Sequence, residues 1–187
     1  YRAKQIAGES TKGEIFRAGA FAYVKQTVDN ILAEETPEAF QKIGIDVVLG
    51  AAFFHTNRSL KVGETEYRYK TAVIATGSSP RMIRVEGLND NDILTNQSIF
   101  DIKDVPKKLL VIGGGPIGME MAQAFSMLGS KVTIAERGPD FAHLEDPSIR
   151  PILRKQFEKL SITIETNAAI NKVEDNQATF EQMNGEE

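Results

Sequence analysis

The residues best placed to do chemistry are six in a row, Gly113-Gly114-Gly115-Pro116-Ile117-Gly118, followed 18 positions beyond Gly118 by an acid, Glu136. This is the G-x-G-x-x-G pattern that wraps a dinucleotide pyrophosphate, and the spacing to the acid is the one a ribose-binding carboxylate needs. Each part has a physical task. Gly113 permits a tight strand-to-helix turn, Gly115 lets the backbone approach the pyrophosphate, and Gly118 lets the helix lie close on its sheet. The pyrophosphate then meets the positive end of a helix, where N–H groups lack partners. Glu136, at a strand end, accepts hydrogen bonds from the adenosine ribose and repels a 2′-phosphate, which favours NAD over NADP. Arg137 beside it weakens that preference, because a guanidinium accommodates the phosphate. The competing interpretation is a plain turn followed by a solvated strand end.

Other chemistry is scarce. The 187 residues contain no cysteine, which excludes a disulfide framework, a thiolate metal site and a cysteine nucleophile within the chain. His55 and His143 stand far apart, with no partner at metal-ligand spacing, and no metal site is expected. Lys and Arg (22) are scattered and balanced by Asp and Glu (26), giving a net charge of −4. No basic stripe for nucleic acid or an anionic membrane stands out. No segment approaches the ~20 unbroken apolar residues of a membrane helix, and the N-terminus has no signal-like apolar stretch. The expectation is a cytoplasmic protein.

The elements that must position the glycine turn surround it in the right order. Leu109-Leu110-Val111-Ile112 forms a strand, 119–128 a helix, 131–135 a second strand and 162–165 a third. Between the last two strands, Asp146-Pro147 has the form of an N-cap and N1 proline, opening a helix with one apolar face at Ile149, Ile152, Leu153, Phe157 and Leu160. This βαβαβ order winds a parallel sheet. From residue 170 onward the chain starts a β-meander.

The N-terminal part has a different texture. Residues 12–42 have mainly helical periodicity, with Pro37 after Thr36 opening a short second helix that ends near Gly44. Ile45–Leu49, Ser59–Val62 and 66–69 are candidate strands, with Gly63 at a turn. Thr71-Ala72-Val73-Ile74-Ala75 is wholly apolar, as in a strand covered on both faces. An irregular stretch with Gly87 and Pro106 then marks a boundary. The expected division is 1–80 as one domain, 81–107 as connector and 108–187 as the dinucleotide-binding domain.

Two segments carry a resemblance. Val111-Ile112-Gly113-Gly114-Gly115-Pro116-Ile117-Gly118-Met119-Glu120 resembles the NAD-binding segment of the pyridine-nucleotide disulfide oxidoreductases, which include dihydrolipoamide dehydrogenase, glutathione reductase and mercuric reductase. Val73-Ile74-Ala75-Thr76-Gly77-Ser78-Ser79-Pro80-Arg81 resembles that family's second short signature, which closes the FAD domain. The connector residues Glu86-Gly87-Leu88, Leu94-Thr95-Asn96 and Ile99-Phe100 are similar too, most of all to the mercuric-reductase-like branch.

The resemblance implies an α/β architecture of two Rossmann-like units, the first incomplete at its N-terminus and the second cut before its last strands. It implies a flavoenzyme in which NAD(P)H reduces FAD and FAD reduces a disulfide or related acceptor. Ala75, Thr76 and Gly77, with Ser78, would approach FAD through their backbones, and Ala51 or Ala52 would lie near its adenine. Pro116, Ile117 and Glu120 would lie beside the nicotinamide or flavin ring; for Glu120 the alternative is a first-turn acid favoured by the helix dipole. The family's glycine-rich FAD motif, its Cys-x4-Cys and its His-Glu pair are not in these residues. A fragment is therefore expected, with weak FAD affinity, no disulfide reductase activity alone and a homodimeric parent. A dithiol-independent NADH oxidase or ferredoxin-type reductase is one alternative. A non-catalytic nucleotide-binding module is another, and a single-Rossmann dehydrogenase a third, although no Tyr-x3-Lys follows the glycine motif.

Overall fold

A computed structural model describes residues 13–175 and 177–182. The chain divides into two compact units, one of Lys25–Ser79 and one of the described residues up to Val24 together with Pro80 onward.

The second of these contains the glycine turn. Its centre is a parallel sheet of β4 (Lys108–Ile112), β5 (Lys131–Ala135) and β6 (Thr163–Glu165), in the order β4-β5-β6. The register pairs Val111 with Ile134 and Ile112 with Ala135. Helix α3 (Pro116–Met127) crosses from β4 to β5, and α4 (Arg150–Lys159) leads from the loop after β5 back to β6. Crossovers of this kind bury a parallel sheet under helices, and the buried residues reflect that. Ala122 and Phe125 of α3, Val132 and Ile134 of β5, and Phe157 of α4 form one core with Phe141, Ala142 and Ile162. Helix α1 (Gly13–Glu34) contributes Phe21, whose ring lies 6.5 Å from that of Phe125. A hairpin of β7 (Ala168–Glu174) and β8 (Gln177–Gln182) completes the unit.

The irregular stretch before β4 packs into this core. Ile99 is buried there, and Ile102 and Val105 rest against it. Glu86 forms a parallel bridge to Lys172 of β7, with Glu86 N donating to Asn171 O at 3.0 Å and Val173 N to Glu86 O at 2.8 Å. Gly87 adopts φ +84°, and a Cβ there would collide with the Val173 carbonyl. Glycine is required by that close approach.

Helix α4 begins later than the Asp146-Pro147 pair predicts. Pro147 does not open it; Arg150 does, with Pro151 in its first turn. Proline has no N–H to donate and is tolerated only at a helix start, so Pro151 moves the start beyond Pro147. Asp146 instead caps a turn, accepting from Ser148 N at 2.8 Å and Ser148 Oγ at 2.6 Å.

The other unit holds the rest of α1, then α2 (Pro37–Lys42) and an antiparallel sheet β1-β2-β3 of Ala52–Thr56, Ser59–Val62 and Thr65–Arg68. Pro37 lies in the first turn of α2, as the pattern predicts, and Thr36 caps the helix by accepting from Ala39 N. Two expected strands are absent among the described residues. Residues 45–49 and 71–75 pair with no strand, and Val73 and Ile74 are 87% and 71% exposed. An apolar run becomes a central strand only where neighbours satisfy its backbone and layers cover both faces. Within this unit's described residues only Ser59 is buried, so no such layers exist.

Candidate functional site

The glycine turn sits at the C-terminal edge of the parallel sheet, where β4 hands over to α3 and where open α/β sheets place their ligands. Gly113 adopts φ +97°, and its N–H donates to Ala135 O at 2.8 Å, so the turn stays tied to β5 as it reverses. Gly115 is the N-cap of α3, and its carbonyl accepts from Met119 N at 2.9 Å. A Cβ on Gly118 would run into the Gly113 carbonyl, so only glycine lets this helix lie so close to the turn. A Cβ on Gly115, by contrast, would meet nothing within 4 Å. The backbone there is open to a ligand, and the first-turn N–H groups of α3 have no intrahelical acceptor. The donor set and the open approach fit a pyrophosphate.

Glu136 closes the arrangement from the next strand. Its residue is 7% exposed, so it is no solvated strand end. Its Oε2 accepts from Gly114 N at 2.7 Å and its Oε1 from Gly138 N at 2.8 Å. The backbone of Glu136 continues the sheet, donating to Glu165 O at 2.8 Å and accepting from Ala168 N at 2.9 Å. A carboxylate offers about four acceptor positions; two are used, which leaves capacity for ribose hydroxyls.

The remaining sequence-derived residues divide. Gly113, Gly114, Gly115, Gly118 and Glu136 converge on the turn. Pro116, Ile117 and Glu120 lie on the first turns of α3 with their side chains at least partly exposed, and Arg137 is exposed beside Glu136. Ala52, Ala75, Thr76, Gly77 and Ser78 belong to the other unit and are exposed: Ala52 opens β1, and the other four follow one another along an extended segment. No cluster of His, Asp and Glu among the described residues could hold a metal ion, and no described helix is long and apolar enough to cross a membrane.

Four residues that the sequence pattern does not single out complete the site. Gly138 supplies the second N–H to Glu136. Phe141 is buried, and its ring carbons come within 3.1 Å of where a Gly114 Cβ would stand. Arg154 lies over that ring at 6.0 Å, and Phe157 meets it edge-on at 5.2 Å. Arg150 reaches back along the loop: Nε donates to Glu145 O at 3.0 Å, Nη2 to His143 O at 2.9 Å and Nη1 to Asp140 Oδ2 at 2.8 Å. No periodicity marks such contacts, because they run between a loop and the helix after it.

Comparison with known proteins agrees with this geometry. The model of a family described as pyridine nucleotide-disulphide oxidoreductase matches residues 3–187. A mercuric reductase of Staphylococcus aureus is 29% identical over 177 residues, 91% of this chain and 32% of its own length. A dihydrolipoyl dehydrogenase of Acholeplasma laidlawii is 30% identical over 178 residues, 92% of this chain and 53% of its own. Among solved structures, the HOCl-induced flavoprotein disulfide reductase RclA from Escherichia coli aligns with a TM-score of 0.73 at 26% identity, over 98% of this chain and 41% of that one. The chain thus spans about a third to a half of these relatives. Because the family match takes in the glycine turn, the strand-end acid and the residues before them alike, the chain belongs to the pyridine nucleotide-disulphide oxidoreductase family.

Proposed function

We propose that this chain supplies the dinucleotide site of a flavin-dependent oxidoreductase, in which hydride passes from NAD(P)H to FAD and on to a disulfide or related acceptor. The carrying observation is the buried Glu136 carboxylate, which holds Gly114 N–H at the mouth of a parallel sheet. The turn and the first-turn N–H groups of α3 bind the pyrophosphate, and Glu136 takes the adenosine ribose. Pro116, Ile117 and Glu120 border the nicotinamide. NAD is preferred over NADP, because a 2′-phosphate would have to approach a carboxylate that two backbone N–H groups hold in place.

FAD, where bound, supplies the hydride-accepting ring. Ala52, Ala75, Thr76, Gly77 and Ser78 belong to a second, partial Rossmann-like unit and contribute to holding it. These five residues are exposed, so flavin retention by them is weak. The chain contains no cysteine, so the dithiol of a disulfide acceptor comes from elsewhere. The whole enzyme works as a homodimer.

Calorimetric titration with NADH and with NADPH, alongside a visible spectrum, tests this reading. NADH binding with little NADPH binding and no flavin absorbance is expected. Binding of neither dinucleotide would sink it.

A further inference from the structure

The route from Arg150 to the glycine turn can be followed contact by contact. The 13 residues between Glu136 and Arg150 include two prolines and a glycine but no helix or strand, so their shape depends on what holds them. Arg150 donates to three acceptors spread along that loop, at Asp140, His143 and Glu145. Near one end of the held segment, Gly138 N–H fixes Glu136 Oε1, and Gly138 O accepts from Asn167 N at 2.9 Å. Farther along it, Phe141 packs against Gly114, whose N–H fixes Glu136 Oε2. Both oxygens of the strand-end acid are therefore set by groups that the loop carries or covers.

We propose that Arg150 is a positioning residue for the dinucleotide site: by clamping the 137–149 loop it holds Gly138 and Phe141, and through them Glu136 and Gly114, in the arrangement that receives the adenosine ribose. The selectivity for NADH over NADPH then depends on a guanidinium that touches neither nucleotide. A lysine cannot replace it, since one ammonium cannot span three separated acceptors as the planar guanidinium does. This inference rests on the dinucleotide reading above, and its test has an arm that does not require nucleotide.

The first arm is amide hydrogen exchange of the ligand-free full chain, read by NMR at Gly114 and Gly138, with Val132 and Ile134 as core references. Arg150→Gln is expected to speed exchange at both glycines about tenfold while the references stay unchanged. The second arm is titration with both dinucleotides. If the receptive arrangement falls to about a tenth of the population, NADH affinity falls about tenfold. NADPH shares the glycine turn but gains nothing from a fixed Glu136, so it is expected to lose less than NADH, and the selectivity ratio narrows. Arg150→Lys should behave like Arg150→Gln. Asp140→Asn, which weakens an exposed partner, should give a smaller change in the same direction, and it carries the test if Arg150→Gln fails to fold. Unchanged exchange at Gly114 and Gly138 would overturn the proposal. So would an equal loss of both dinucleotides accompanied by a general drop in melting temperature. If the unsubstituted chain binds neither dinucleotide, the functional reading fails, while the exchange measurement still decides whether Arg150 sets the turn.

Discussion

At Glu136 a single side chain accepts from two backbone N–H groups that approach from different loops, Gly114 at 2.7 Å and Gly138 at 2.8 Å. Hydrogen bonds to a charged acceptor contribute more than neutral ones, and an orphaned buried donor costs about 1–3 kcal/mol. Glu136→Gln tests this. The amide keeps one acceptor oxygen and presents a donor in place of the other, so one of the two N–H groups loses its partner. The expected result is a loss of about 1–3 kcal/mol in urea unfolding, together with a narrower preference for NADH in titration. The sequence carried Glu136 plainly, through its distance from the glycines. It did not carry Gly138 or Phe141, because their roles depend on a loop whose path no pattern dictates.

Among the elements, α4 and the turn before it show how two prolines decide a boundary. Pro151 must lie in a first turn, so the segment around Pro147 is left to form a separate turn that Asp146 stabilises. The Ser148 hydroxyl, and after it the Ser148 N–H, hold the Asp146 carboxyl below the usual aspartate range. A carboxyl whose folded pKa is depressed stabilises the fold above its unfolded pKa, and that contribution is lost as pH falls through the folded one. Asp146 is exposed, so screening keeps the effect small. Asp146→Ala is expected to flatten the acid limb of the melting-temperature profile below about pH 4, with little change near neutrality. A profile of unchanged slope would remove Asp146 from the account.

For the molecule as a whole, burial is unevenly shared. The unit with the parallel sheet contains every buried apolar side chain among the described residues, including Val132, Ile134, Phe125 and Phe157. The unit of Lys25–Ser79 buries only Ser59 among its described residues and exposes Phe53, Phe54, Val73 and Ile74. Opening free energies follow buried apolar contact, so the two units should differ in protection. Amides of Ile134 and Val132 are expected to exchange roughly a hundredfold more slowly than those of Phe54 and Leu60 in the full chain. Equal protection would mean that the β1-β2-β3 sheet is stabilised by something other than its own burial.

The sequence alone determined the βαβαβ unit, the glycine turn, the strand-end acid and the short helix α2, because each rests on local rules: apolar periodicity, glycine at positive φ or close approach, proline at a helix start. It also carried the family, through two short signatures that the match over residues 3–187 bears out. The tertiary structure decided what local rules cannot. It left 45–49 and 71–75 unpaired, since a buried strand is a property of its neighbours as well as of its own residues. It packed the irregular stretch before β4 into the core through Ile99 and bridged Glu86 to β7. It brought Gly138 N–H to the Glu136 carboxylate and Phe141 against Gly114, and it tied the loop that carries them to Arg150. Such contacts lie between segments distant in pattern and are fixed only when the chain has closed on itself.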